Sequence, residues 1–275
     1  MMETMTLIPA GGLANRIYAM TSAIGFCMEN HIKLKVIWFK DWGMGAGFHD
    51  LFTISSQCDD LKIIEANWRD FFLYDKPKKS NLWIPFFYQK WKFDGIYSQK
   101  ELSDSIPFEA WYQSHNNDMN IYVYHCYKIQ DKKNYLDILS PTDSIKKILN
   151  ERLKLLSPYT IGIHIRRTDH FQSVRKSPLS EFINKIQQEI MMDPLTDFYI
   201  ASDSKDEKSE LKTIFGGRII TIDKPVSRDT KDGIMEALVE LFTLANTKKI
   251  YGSSGSTYSM LAAEIGNIPL EVVVK

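Results

Sequence analysis

Cysteine is scarce: Cys27, Cys58 and Cys126 are the only three in 275 residues, odd in number and far apart. Such spacing excludes a disulfide framework and a Cys-based zinc site, and leaves the reduced, packing cysteines expected of a cytoplasmic protein. Net charge is missing as well, because Lys plus Arg and Asp plus Glu each number 34. That balance gives no overall reason for nucleic acid as a partner, so only local concentrations of charge carry meaning. Apolar runs all fall short of a membrane span, and the opening Met-Met-Glu-Thr-Met-Thr-Leu-Ile-Pro is too short and too polar for a signal peptide. The expectation is a soluble cytoplasmic protein without a transmembrane segment, with peripheral work at a membrane left open through a partner or a lipid-linked substrate. No P-loop is present, no Asp-x-Asp follows a strand, and no His/Asp/Glu cluster has the spacing of a catalytic zinc site. These gaps argue against a nucleoside-triphosphate phosphotransferase, and the chemistry is expected to run without a metal or other cofactor.

An apolar content of 44% is enough for a real core. The most informative stretch is Tyr159-Thr160-Ile161-Gly162-Ile163-His164-Ile165-Arg166-Arg167-Thr168-Asp169-His170. Isoleucines at 161, 163 and 165 have the period of a strand, and five polar or charged residues follow where that strand should end. Adjacent guanidiniums repel, and a bound diphosphate would reconcile them, because guanidinium forks match phosphate oxygens in bidentate geometry. The plainer alternative is a solvated turn in which Arg166 or Arg167 pairs with Asp169.

The chain around this stretch alternates strands and helices. A strand over 5–9 runs into the glycine turn Gly11-Gly12, then a largely buried helix over 15–29 that includes Met28, then a strand over 33–39. This is a βαβ opening whose strand-to-helix corner favours an anion or polar ligand, although the third glycine of a dinucleotide fingerprint is missing. Between 41 and 130 the pattern loosens and aromatics crowd in, among them Trp68, Phe72, Phe86, Phe87 and Trp91. Most read as core, with an aromatic acceptor groove as the minority reading. Beyond a boundary near 131–141 the order is regular: strands at 160–165, 197–201, 218–222 and 249–251, with helices between them. That spacing predicts a parallel, doubly wound sheet, hence an N-terminal domain over 1–135 and a C-terminal Rossmann-like domain over 136–275.

Three polar clusters stand at predicted carboxyl ends of strands in the second half: 164–170, Ser202-Asp203-Ser204, and Gly252-Ser253-Ser254-Gly255-Ser256. In a doubly wound sheet these ends share one edge, where ligands bind. Phosphate oxygens would take the arginines and the Ser254-Gly255-Ser256 turn with its following helix N-terminus, while Asp203 would accept from a base or ribose hydroxyl. Taken singly, Ser-Asp-Ser also reads as a helix cap and the Gly/Ser run as a flexible turn.

These residues together resemble a known family. Gly162-Ile-His-Ile-Arg-Arg-Thr-Asp169 is similar to the His-x-Arg-Arg-Thr-Asp signature of the α1,6-fucosyltransferases, of the nodulation NodZ type and the animal core-fucosylation type. Asp197-Phe-Tyr-Ile-Ala-Ser-Asp203, the segment from Glu240 through Ser256, and Gly11-Gly-Leu-Ala-Asn-Arg16 resemble further stretches of those enzymes. The resemblance implies a GT-B-like fold of two Rossmann-like domains with parallel sheets and a cleft between them. It implies inverting, metal-independent transfer of fucose from GDP-fucose, or of another GDP-sugar, to a saccharide acceptor, with acceptor-side chemistry in the first domain. Carried over, Arg166 binds the diphosphate, Arg167 assists or holds the loop, and His164 contacts the nucleotide. Asp203, Ser254, Gly255 and Ser256 complete the donor pocket, Glu240 lies near guanine or ribose, and Gly11, Gly12 and Asn15 approach the donor. Arg166, Asp169 and His170 form the implied catalytic set. The chain departs from the animal enzymes at His170 and Val174, where those have a lysine and a glutamate proposed as base. The base is then His170, another group, or absent, with the acceptor hydroxyl deprotonated late. Two other readings stand beside this one: a transferase of the same fold using another nucleotide sugar, and a non-catalytic protein that binds a nucleotide sugar or glycan.

Overall fold

A strand paired on both edges and covered on both faces must be apolar almost throughout. Met5, Leu7 and Ile8, all fully enclosed, mark β1 (Thr4–Pro9) as such a strand. The computed structural model describes residues 3–275 apart from 42, 55–59, 76–83, 116, 131–135, 168–170 and 225–226. It divides into two units. The first comprises Met1–Thr142 with Arg228–Ile234. Its further strands are β2 (Lys33–Trp38), β3 (Phe52–Ile54), β4 (Leu61–Glu65), β5 (Gly95–Tyr97), β6 (Asn120–His125) and β7 (Leu139–Pro141). Four of them join β1 in a five-stranded parallel sheet in the order β4-β2-β1-β6-β5, and β3 pairs antiparallel with β7.

The helix Leu13–Asn30 follows β1 through Gly11 and Gly12 and is buried along nearly its whole length. It ends where His31 turns left-handed at φ +56°. Met28, expected inside, is 47% exposed because it lies in the last turn.

The second unit comprises Asp143–Ser227 with Met235–Lys275. Its strands are β8 (Ile161–Ile165), β9 (Phe198–Ser202), β10 (Ile219–Ile220), β11 (Ile250–Ser253) and β12 (Leu270–Val273), all parallel in the order β10-β9-β8-β11-β12. Strand order reverses between β8 and β11, which makes their shared carboxyl edge the topological switch point. One face of β8 supplies Ile161, Ile163 and Ile165 to a core with Phe182, Ile186, Phe198 and Ile200. Burying each such side chain contributes about 1.5–3 kcal/mol. On the opposite face Gly162 lets a helix approach: a Cβ there would stand 2.8 Å from Thr247 Oγ1 and 2.9 Å from Leu244 Cδ2.

The aromatic reading of the first half needs correcting. Phe48, Phe52, Tyr74 and Trp111 are core, but Trp68, Phe72, Phe86, Phe87 and Trp91 stand in solvent. Helical spacing and apolarity alone could not tell a covered face from an open one. Among the described residues no helix is long and apolar enough to cross a membrane.

Candidate functional site

At the switch point β8 delivers His164 and then Arg166, while β11 delivers Ser253 and the turn to Ser256. The two strand ends are tied together by Ser253: its Oγ accepts from the Arg166 N–H at 3.0 Å and donates to the His164 carbonyl at 3.3 Å. His164 is buried, its Nδ1 lies 3.3 Å from Ser256 Oγ, and its ring packs 4.7 Å from that of Tyr258. Gly255 takes φ +70°, a turn that lets the chain enter the helix Thr257–Gly266 with Ser256 as N-cap. Ser256 makes no side-chain capping bond, so its hydroxyl is directed to His164 instead. The Ser254 N–H donates to Ser177 Oγ at 2.9 Å, and Ser177, fully buried, donates to the Val273 carbonyl. A close helix-to-strand contact fixes the turn from behind: a Cβ on Gly252 would meet Ser259 Oγ at 2.6 Å.

The two arginines part ways. The Arg167 side chain is turned to structure, with Nε on Glu207 Oε1 and Nη1 donating to the carbonyls of Arg166 and Ser177 at 3.1 and 3.0 Å. Its backbone N–H donates to Asp203 Oδ1 at 2.8 Å. Burial raises the Glu207 pKa, and the Arg167 guanidinium opposes that shift. Arg166 is half-buried at the strand end with its backbone pinned by Ser253. The Arg167 side chain is therefore not solvated, and Asp169, the partner in the plainer reading of this turn, lies outside the described residues.

Asp203 also lines a cavity of ≈ 170 Å³ beyond β9 and β10 with Ser202, Lys205, Lys208, Asp223 and Lys224. Ser204 caps the helix Lys205–Phe215, accepting from the Glu207 N–H, so the cap reading of Ser-Asp-Ser holds while Asp203 lines the cavity.

Glu240 does not line that cavity. It is buried beneath the sheet edge, 3.1 Å from Lys208 Nζ, in a polar layer with Arg152, which bridges Glu236 at 2.7 Å and Tyr199 Oη at 3.0 Å. Loss of hydration pushes the Glu240 carboxyl up to about 7 against the pull of Lys208. Lys208, not Glu240, reaches the cavity wall.

Gly11, Gly12 and Asn15 belong to the first unit, at the corner leaving β1. Gly11 adopts φ +84°, and a Cβ there would stand 2.8 Å from Asn15 Nδ2. Buried Arg16 holds this corner: Nε donates to the Gly11 carbonyl at 3.0 Å, Nη1 to the Phe39 carbonyl at 2.6 Å, and Nη2 to Asp41 at 2.9 Å. Asp169 and His170 lie outside the described residues.

Sequence reasoning missed Arg16, Ser177, Glu207 and Lys208 as supports. Only Glu207 had a signal, the Ser-x-x-Glu pattern from Ser204, and that signal pointed to a capping box and not to Arg167.

No protein-family model matches the sequence, and no curated protein matches it. Solved structures do. NodZ α-1,6-fucosyltransferase crystallised with GDP superposes at a TM-score of 0.67 with 13% identity, over 95% of this chain and 92% of that one. The fold is the GT-B-like fold of fucosyltransferases. A mutant Arabidopsis thaliana FUT1 in complex with GDP shares this GT-B-like fold at a TM-score of 0.63 and 16% identity, covering 98% of this chain and 70% of that chain. POFUT1 in complex with GDP does so at 0.56 and 10%, over 98% of both chains. At these identities the likeness is one of fold.

Proposed function

We propose that the protein is a glycosyltransferase that transfers fucose from GDP-fucose to a saccharide acceptor, with inversion and without a metal. The observation that carries this reading is the convergence at the β8/β11 switch point of Arg166, the Ser254-Gly255-Ser256 turn and the N-terminus of the helix Thr257–Gly266. A helix N-terminus and a guanidinium together favour a diphosphate. As the sugar leaves, negative charge grows on the β-phosphate, and donors already held in place stabilise it without reorganising. In this reading Arg166 and the turn N–H groups bind that phosphate, and His164, locked by Ser256 and Tyr258, orients it. Arg167 holds the loop from behind through Glu207 and Ser177. Asp203 takes a ribose or base group at the mouth of the β9/β10 cavity. Glu240 acts through Lys208 and not by contact. The GDP and GDP-fucose of the structurally similar NodZ crystals support the choice of donor. The first unit takes the acceptor side, and Gly11, Gly12 and Asn15 at its β1 corner keep the donor-binding role that the resemblance implies. The base is His170 or Asp169, or the acceptor hydroxyl loses its proton late.

The test is calorimetric titration of GDP, UDP, ADP and CMP into the purified protein without added metal, repeated with Arg166→Ala. Selective GDP binding that the variant loses supports the reading, and an acceptor screen with GDP-fucose follows. Selective binding of another nucleotide changes the donor, and a folded protein that binds none of the four overturns the transferase.

A further inference from the structure

The helix Ile84–Lys92 is fastened to the first unit by one face. Pro85 and Gln89 are buried, and Gln89 Nε2 donates to Asp75 Oδ2 at 3.1 Å, a carboxylate that also accepts from Tyr122 Oη of β6 at 2.8 Å. The opposite face meets water, and there the usual amphipathic order is reversed: Phe86, Phe87 and Trp91 are 52%, 61% and 83% exposed. The helix Asp70–Leu73 packs beside it, and there Trp68 and Phe72, rings 6.4 Å apart, are 70% and 46% exposed. Three large exposed aromatics on one helix, with two more carried by the helix packed against it and its approach, mark an interaction site.

Cations interleave the rings. Lys90 Nζ lies 4.7 Å from the Phe86 centroid, the Arg69 guanidinium 5.3 Å from Trp68, and Lys92 Nζ 5.7 Å from Tyr88. The helix Ile84–Lys92 contains no carboxylate. The nearest acids in sequence are turned to backbone: Asp70 accepts from the Asn67 N–H at 2.8 Å, and Asp94 from those of Met119 and Asn120 at 3.1 and 2.9 Å. A saccharide site sets carboxylates and amides beside its stacking rings to take hydroxyls, and this face offers cations instead. Exposed Trp and Phe with Lys and Arg between them is the composition of a bilayer interface, the rings at headgroup depth and the cations on anionic phosphates.

We propose that this aromatic and cationic face docks the protein peripherally on an anionic phospholipid bilayer. Sedimentation with vesicles of phosphatidylcholine mixed with phosphatidylglycerol, against vesicles of phosphatidylcholine alone, tests it. Wild-type protein sediments with the mixed vesicles and is released by salt. Lys90→Gln with Lys92→Gln lowers partitioning on the order of 30-fold, since each cation near an anionic surface is worth roughly fivefold. Phe87→Ala with Trp91→Ala abolishes sedimentation. All four positions are solvent-facing, so unchanged far-UV circular dichroism and melting identify folded variants. Failure of the wild type to sediment with the mixed vesicles overturns the proposal. So does retained binding in both folded variants, or tryptophan quenching by an oligosaccharide in a protein that ignores vesicles.

Discussion

The corners that leave β1 and β8 are built from the same parts and used differently. Each follows a central parallel strand, and each carries an arginine. At the first corner Arg16 is only 1% exposed and takes two carbonyls and Asp41, so its charge is consumed in holding the glycine turn. At the second there are two arginines, and Arg167 does the holding, through Glu207 and the carbonyls of Arg166 and Ser177. Arg166 stands next to it at the switch point, beside a helix N-terminus.

The contrast can be broken by substitution. Arg16→Ala leaves Asp41 buried without its cation and should destabilise the protein by about 3–5 kcal/mol in denaturant unfolding; a loss below about 1 kcal/mol would mean the first turn holds itself. Arg166→Ala should do the reverse, leaving unfolding unchanged while slowing transfer from GDP-fucose on the order of 100 to 1000-fold. A variant that instead melts early would place Arg166 with the structural arginines. Gly252→Ala sharpens the point at the serine turn. The added methyl meets Ser259 Oγ at 2.6 Å, and overpacking of this kind costs about 1–3 kcal/mol, read as a lower melting temperature.

The smallest effect is electrostatic. The Glu240 carboxyl is raised from an ordinary 4.5 to about 7 by burial, so the folded protein holds that proton more tightly than the unfolded chain. Its contribution to stability is then full below about pH 4.5 and is lost as pH rises through about 7. The stability of wild type relative to Glu240→Gln should fall across that window in melting curves, and a relative stability that grows would show Lys208 dominating burial.

Legibility in the sequence followed locality. The helices Lys205–Phe215 and Thr257–Gly266 fall where helices are expected between and after the strands, because Ser204 and Ser256 mark their starts and Gly216 and Asn267 their ends. β4, β5 and β12 were not expected: they are short, lie at or toward sheet edges and show no clean alternation, so they exist as strands only through distant pairing. β10 proved shorter than its expected span because the Gly216–Arg218 turn runs into it.

By itself the sequence determined that β8 is a buried strand emptying into adjacent arginines, and that a Gly/Ser turn follows β11, because period-two apolarity and turn chemistry are properties of neighbours in the chain. Tertiary structure alone decided that the Arg167 fork is spent on Glu207 and on the carbonyls of Arg166 and Ser177. It also decided that Glu240 answers to Lys208 and that Trp91 faces water while Trp111 does not. Those outcomes depend on partners tens of residues away, and a side chain's charge or apolarity does not say what will be packed against it.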